Sequence, residues 1–188
     1  SSDIRTAFRG RGDENRVSPL SYKEFYEAFP TETRNAWKEY FTYGGMPLIL
    51  SKQSHEEKAA YLKMLFDQIY ISDILERNRI NLDKSVLDDL LNIISSSVGS
   101  LTNSGKIART FKSERQTTIT GSTVSKYLDF FIDAFLIYKA ERYDVKGRKY
   151  IGSPLKYYFS DIGLRNARLK CRHQEVNHLM ENLIFNEL

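Results

Sequence analysis

The spacing of apolar residues constrains this chain most, and it changes once along the sequence. Over the first 100 residues, apolar side chains such as Leu62 and Phe66 recur at three- and four-residue intervals, as on one face of a helix. Residues 136–143 and 149–159 are instead rich in β-formers and flank a turn that contains Gly147. The chain is therefore predicted to be mostly α with a small β-hairpin.

Capping and stop signals divide the helical half into separate helices. Ser21 with Glu24, and Ser54 with Glu57, both match the capping-box pattern at a helix start. The run GGMP at residues 44–47 is a strong stop, because two glycines before a proline cannot continue a helix easily. These signals predict a bundle of short helices.

The second half has a different order of elements. A short helix around Ile107, a polar stretch at residues 115–121 and a longer helix through Val124 and Phe131 precede the hairpin. With the helix that precedes them, this makes three helices followed by a hairpin, the order of a winged helix-turn-helix. The predicted architecture is therefore a helical bundle followed by a winged helix-turn-helix. Asp161 is placed to cap one further helix.

Composition limits the cell compartment and the partners. No apolar run approaches the roughly 20 residues of a membrane span. The one cysteine of the 188 residues, Cys171, cannot form an internal disulfide, so we expect a cytoplasmic protein with no membrane partner. The net charge is +4, and its surplus is C-terminal: residues 101–188 carry 15 Lys and Arg against 9 Asp and Glu. Such an excess favours weak, non-specific contact with a polyanion.

The aromatic residues are numerous, with 12 tyrosines and 11 phenylalanines. Most fall at helical spacing, which predicts core packing. Four tyrosines on or beside the predicted wing are the candidates for stacking on a single strand: Tyr143, Tyr150, Tyr157 and Tyr158.

Two groups of short motifs resemble a known protein family. The run KYYFSDIGLRNARL at residues 156–169, followed by ENLIFNEL at 181–188, resembles the C-terminal region of prokaryotic AAA-type ATPases. RGRGDE at residues 9–14 and SPLSYKEF at 18–25 resemble the end of the ATPase core of that family. The resemblance covers essentially the whole chain and is also strong at residues 43–47.

The resemblance implies a division of the chain into four parts. Residues 1–30 would be the tail of the ATPase core, residues 31–100 a helical linker bundle and residues 101–172 a winged-helix-like domain. Residues 173–188 would begin a truncated, nuclease-like segment. The intact protein would bind ATP and magnesium and hydrolyse ATP, whereas this chain would need no cofactor and have no activity of its own. It would couple hydrolysis to a nucleic-acid or protein partner; the alternative is a free-standing winged-helix DNA-binding regulator.

Two arginines carry a nucleotide-related hypothesis. Gly10-Arg11 matches a Gly-Arg pair of the resembling family, and Arg9 lies beside it. Arginines beyond the core strands of AAA proteins often reach a γ-phosphate, where the guanidinium stabilises developing charge. Arg9 and Arg11 are therefore candidate finger or sensor residues, with a solvated turn as the alternative.

One segment looks superficially like a phosphate-binding loop. Residues 99–107 contain two glycines and Lys106, but five residues separate the glycines instead of four, and Ile107 replaces the magnesium-binding hydroxyl. We therefore expect a helix-to-helix turn here, and no ATP site.

The predicted winged helix supplies the nucleic-acid candidates. Lysine, arginine and hydroxyl side chains contact phosphates and base edges. The candidates are Ser122, Thr123 and Lys126 on the recognition helix, and Lys139, Arg142, Lys146, Arg148 and Lys149 on the wing. Asp129 and Asp133 on the same helix act against binding, and a protein-contact role stays open.

Metal binding has little support in the sequence. Glu181 would be a metal ligand only if a nuclease-like domain follows, as in the resembling family. Otherwise it is a polar position on a helix whose apolar face is Leu179, Leu183 and Ile184. Cys171, His173 and His178 lack the repeated spacing of zinc ligands, so no metal site is predicted.

Overall fold

The computed structural model describes residues 15–29, 32–77, 84–115, 118–141, 155–169 and 176–188. These ranges form nine α-helices and two β-strands, with a 3₁₀ turn at Pro47–Ser51 and a π-helical stretch at Leu65–Ile71. The helices are α1 (Tyr22–Ala28), α2 (Thr33–Tyr43), α3 (His55–Met64), α4 (Ser72–Arg77), α5 (Lys84–Ser96), α6 (Ser104–Arg115), α7 (Gly121–Asp133), α8 (Ile162–Arg168) and α9 (Val176–Glu187). The strands are β1 (Ile137–Ala140) and β2 (Lys156–Phe159). The prediction of a mostly helical chain with a small β-hairpin is thus confirmed at the level of a two-stranded antiparallel sheet.

Strand β2 is bonded along both of its edges. On one edge it pairs antiparallel with β1, so that Ile137 lies opposite Phe159. On the other edge, Leu155 and Thr102 exchange backbone hydrogen bonds of 2.7 and 2.8 Å, and the N–H of Gly99 donates to the carbonyl of Tyr157. The segment that joins α5 to α6 therefore lies alongside β2, opposite β1.

Helix α8 is short but lies at the centre of the molecule. All five residues from 162 to 166 are buried, and the helix packs against α2, α3, α5 and α9. A single connected set of buried apolar side chains extends from α1 to α9. Its largest fully buried members are Phe25, Phe66, Phe111, Phe131 and Phe159. This core crosses the predicted boundary between residues 100 and 101.

The predicted helix caps are mostly present. Ser21 accepts from the N–H of Glu24 at 3.3 Å, and the Glu24 carboxylate accepts from the N–H of Ser21 at 2.8 Å, which completes the capping box. Only half of the second predicted capping box, that of Ser54 with Glu57, is present. Ser54 accepts from the N–H of Glu57, but the Glu57 carboxylate accepts from Gln53 at 2.9 Å, one residue earlier than the pattern requires.

Two expectations about core positions, those for Ile184 and Phe135, are wrong. Ile184 is 55% exposed, because α9 turns Leu179, Leu183 and the partly buried Phe185 towards the protein. Of the four tyrosines named as candidates for stacking, Tyr157 and Tyr158 are buried, and Tyr143 and Tyr150 lie outside the described residues.

Phe135 falls at the helical spacing that predicts core packing, but it is 38% exposed. It follows the end of α7 with a φ of 57°, a left-handed conformation that turns the chain into β1.

Candidate functional site

Asp161 joins two parts of the chain that are far apart in sequence. As predicted, it caps α8, because its Oδ1 accepts from the N–H of Leu164 at 3.0 Å. Its Oδ2 also accepts from the N–H of Gly45 at 2.7 Å, 116 residues earlier. Burial raises the pKa of Asp161 to about 6, although the backbone N–H groups of Gly45, Leu164 and Gly163 act in the opposite direction. The buried carboxyl group therefore links α8 to Gly45, just after α2, with a hydrogen bond to each of its two oxygens.

Three glycines permit the close approach of backbones around Asp161. A Cβ on Gly45 would lie 2.1 Å from the carbonyl oxygen of Leu20, and one on Gly163 would lie 1.9 Å from that of Tyr43. Gly44 has a φ of +74°, which suits glycine at the end of α2. No larger residue fits at Gly45 or Gly163 without moving a backbone.

Polar side chains of α8 fasten the surrounding helices. Asn166 donates to the carbonyl oxygens of Phe41 and Thr42, both at 3.0 Å, and thereby satisfies the C-terminal end of α2. The buried Arg165 donates from Nε to the carbonyl of Ser95, in the last turn of α5, at 2.9 Å. Helix α8, from the second half of the chain, therefore bonds to two helices of the first half.

Helix α9 takes the place of a strand along part of β2. The Asn182 side chain accepts from the N–H of Phe159 and donates to its carbonyl, both at 2.8 Å. Asn186 adds a second donor to the Phe159 carbonyl at 2.9 Å. These amides satisfy the β2 edge where no backbone partner is present.

The end of α9 also contacts the N-terminal helices. The Glu187 carboxylate accepts from the N–H of Tyr22 at 2.7 Å and from the hydroxyl of Tyr40 at 3.0 Å. Burial, followed by the charge of Glu187, raises the pKa of the Tyr40 phenol. The adjoining cleft holds only about 180 Å³, below the range of roughly 300–1,000 Å³ typical of ligand sites. The contacts of Glu187 therefore hold α9 against α1 and α2.

Glu181 takes part in a polar cluster with β2. Its Oε1 accepts from the hydroxyl of Tyr158 at 2.7 Å and from the Lys156 ammonium, and His178 lies beside it. Burial opposes ionisation, but the bonds from Lys156 and Tyr158 outweigh it, and the pKa of Glu181 lies below its usual value. In the described part of the chain, no three His, Cys, Asp or Glu side chains are grouped as a metal would require.

Two of the three nucleic-acid candidates on α7 already form hydrogen bonds within the protein. The hydroxyls of Ser122 and Thr123 lie 2.9 and 2.8 Å from that of Thr120, the N-cap of the helix. Lys126 is exposed, and its ammonium lies 5.6 Å from the ring centre of Phe130.

On β1, Lys139 pairs with Glu141 at 2.6 Å, so its charge is largely offset. Arg142, Lys146, Arg148 and Lys149 lie outside the described residues.

A basic surface on α6 was missed in the sequence analysis. Lys106, Arg109 and Lys112 are all exposed, while Ile107 and Phe111 of the same helix are buried. Their spacing of i, i+3 and i+6 is the signal that could have revealed it.

The other sequence candidates are less informative. Arg9, Arg11, Cys171 and His173 lie outside the described residues. The segment resembling a phosphate-binding loop connects α5 to α6. Thr102 bonds to Leu155, next to β2, and Asn103 accepts from the N–H of Lys106 at 2.8 Å, as an N-cap does. This agrees with the expected helix-to-helix turn.

Comparison with known proteins gives a family but no activity. The chain is 34% identical to an uncharacterized protein of Haemophilus influenzae and 30% identical to one of Methanocaldococcus jannaschii. Both matches cover the whole of this chain. It spans about half of these relatives, 48% and 44% of their lengths. No solved structure matches it. None of its described helices is both long and apolar enough to cross a bilayer. A family model covers residues 34–175, and the chain belongs to that family, described as a domain of unknown function, DUF8612.

Proposed function

We propose that this chain is the non-catalytic C-terminal region of a cytoplasmic prokaryotic AAA-type ATPase, and that it couples ATP hydrolysis to a nucleic-acid or protein partner. The observation that carries the proposal is the convergence at Asp161. The segments that resemble the ATPase family are far apart in sequence but meet in one hydrogen-bonded junction. They are residues 18–25, 43–47, 156–169 and 181–188. Convergence of this kind supports a resemblance based on a shared fold rather than on unrelated short motifs.

The lengths of the relatives are consistent with this proposal. Because the chain matches fully yet spans less than half of either relative, each has more than half of its length outside the match. That remainder is about the size of a domain, large enough for a nucleotide-binding core. ATP and magnesium would belong to that core, and Arg9 and Arg11 would be the residues of this chain nearest to it.

The arrangement of α5–α7 and the sheet supports a winged-helix module. Helix α5 is followed by the Thr102 segment, then by α6, α7, β1 and β2, and the backbone of Thr102 bonds to the chain at Leu155, next to β2. Three helices, α5–α7, followed by a small antiparallel sheet fit the winged helix-turn-helix order.

Residues 16–20 offer a route for coupling. The Arg16 guanidinium lies 4.4 Å from the ring centre of Phe135 and 5.4 Å from that of Tyr138, so it contacts the start of β1. A few residues later, Leu20 donates its N–H to the carbonyl of Gly45 at 2.8 Å. A movement before Arg16 would therefore reach the winged-helix segment directly.

Hydrogen exchange on the full-length protein tests the coupling. With ATP and magnesium in place of ADP, backbone amides of residues 15–20 and 136–140 should change their exchange rates, while those of α3 should not. Identical rates in both nucleotides would contradict coupling through this route. A complete reading frame of only these 188 residues would favour the free-standing winged-helix regulator instead.

A further inference from the structure

The outward face of α6 carries positive charge without a compensating acid. Successive helical residues are about 100° apart, so Lys106, Arg109 and Lys112 lie within an arc of about 120° centred on Arg109. Ser113 lies within the same arc. Glu114 is exposed but lies about 140° from Arg109, outside this arc. Over a rise of about 9 Å, this face therefore presents three cations and a hydroxyl.

The three cations are free to meet an external anion. Among the described residues, neither Lys106, Arg109 nor Lys112 forms a salt bridge, whereas Arg115 at the end of the helix pairs with Asp89. The Lys106 ammonium donates to the carbonyl of Leu101 at 3.2 Å, which leaves its charge uncompensated.

The outward face of α7 is different. Its exposed ionic residues are Lys126, Asp129 and Asp133, which together make it net negative. The recognition-helix position of the proposed winged helix would therefore repel phosphate, while α6 would attract it.

We propose that α6 is the nucleic-acid contact of this module, and that Lys106, Arg109 and Lys112 bind the phosphate backbone of a duplex without reading bases. This inference rests on the nucleic-acid branch of the proposed function. Charge complementarity selects the partner, because three unpaired cations without an apolar residue between them suit a regular polyanion rather than a protein groove. Flexible surface cations outside a rigid bidentate geometry confer affinity and no sequence preference.

The test is the salt dependence of duplex binding by the 188-residue chain. Three neutralised phosphates predict a log–log slope of about −2.7, so affinity for a labelled 20-base-pair duplex should fall about 40-fold between 50 and 200 mM salt. Unrelated duplexes should give the same slope. Replacing Lys106, Arg109 and Lys112 by glutamine should make binding nearly independent of salt.

Matched variants separate α6 from net charge and from the wing. One control replaces Lys23, Arg34 and Lys38, which are exposed on α1 and α2, by glutamine; another replaces Lys146, Arg148 and Lys149. Both remove two lysines and one arginine, and both should keep the slope. A charge-preserving variant, Lys106→Arg with Arg109→Lys and Lys112→Arg, should also keep it and shows that the helix tolerates substitution.

Each outcome bears on the inference in a defined way. If the α6 variant keeps the slope while the Lys146, Arg148 and Lys149 variant loses it, the inference fails, but the nucleic-acid role predicted from the sequence for those three residues stands. An equal loss in all three glutamine variants would mean that net charge alone matters and would overturn the inference. No binding by the wild type at 50 mM salt would overturn both the inference and the nucleic-acid branch of the proposed function.

Discussion

At the scale of single residues, the packing of α8 on α2 depends on Gly163. In Gly163→Ala, the new Cβ would lie 1.9 Å from the Tyr43 carbonyl oxygen, so one backbone must move. We expect a loss in the free energy of unfolding of about 3 kcal/mol or more, measured by urea titration. Gly121→Ala is the control, because its Cβ would meet Gly105 at an ordinary 3.7 Å, and it should change stability by less than about 1 kcal/mol. Equal stability of the two variants would contradict the close approach of α8 to α2.

Asp161 gives a pH prediction with a defined sign. Between pH 3.8 and about 6, the folded protein holds a proton on Asp161 that the unfolded chain has released. Raising the pH through this window therefore removes stability, on the order of 3 kcal/mol, because one pKa unit corresponds to about 1.4 kcal/mol. The advantage of the wild type over Asp161→Asn should shrink accordingly from pH 4 to pH 7.

The carboxyl ¹³C shift of Asp161 checks the same prediction without unfolding the protein. Its titration midpoint should lie near pH 6. A midpoint below pH 4 would mean that the bonds from Gly45 and Leu164 outweigh burial, and the stability trend would then be reversed.

At the scale of elements, the docking of α9 on β2 depends on Asn182. Asn182→Leu keeps the side-chain volume but leaves the N–H of Phe159 buried without its partner. A buried unsatisfied group costs about 1–3 kcal/mol, so we expect a loss of that size in the free energy of unfolding. Asn177→Leu on the exposed side of the same helix should stay within about 0.5 kcal/mol of the wild type. Similar losses in both variants would argue against a specific role for the hydrogen bonds between Asn182 and Phe159.

The elements also show what the sequence can predict and what it cannot. The caps at Ser21 and Asp161 are local patterns of three residues, and both were predicted correctly. The bond from Gly45 to Asp161 spans 116 residues, and nothing in either local pattern indicates it. Ile184 was misassigned because two neighbouring helical faces have similar apolar content, and only contact with β2 selects one of them.

At the scale of the whole molecule, the continuous core predicts that the second half cannot fold alone. A fragment of residues 101–172 lacks two partners of its own buried groups. It lacks Ser95 of α5, whose carbonyl accepts from Arg165, and Asn182, whose side chain accepts from the N–H of Phe159. It should give a molten or insoluble product, whereas the 188-residue chain should unfold in one cooperative thermal transition. A cooperative transition of the fragment would instead support the domain boundary predicted at residues 100–101.

The most direct test of the proposed function is nucleotide binding by two proteins under the same conditions. The full-length protein that contains this chain should bind and hydrolyse ATP with magnesium. The 188-residue chain should show no binding tighter than roughly 10 μM, about −7 kcal/mol, in a calorimetric titration. Binding of ATP by the 188-residue chain below that constant, or a full-length protein that neither binds nor hydrolyses ATP, would contradict the account.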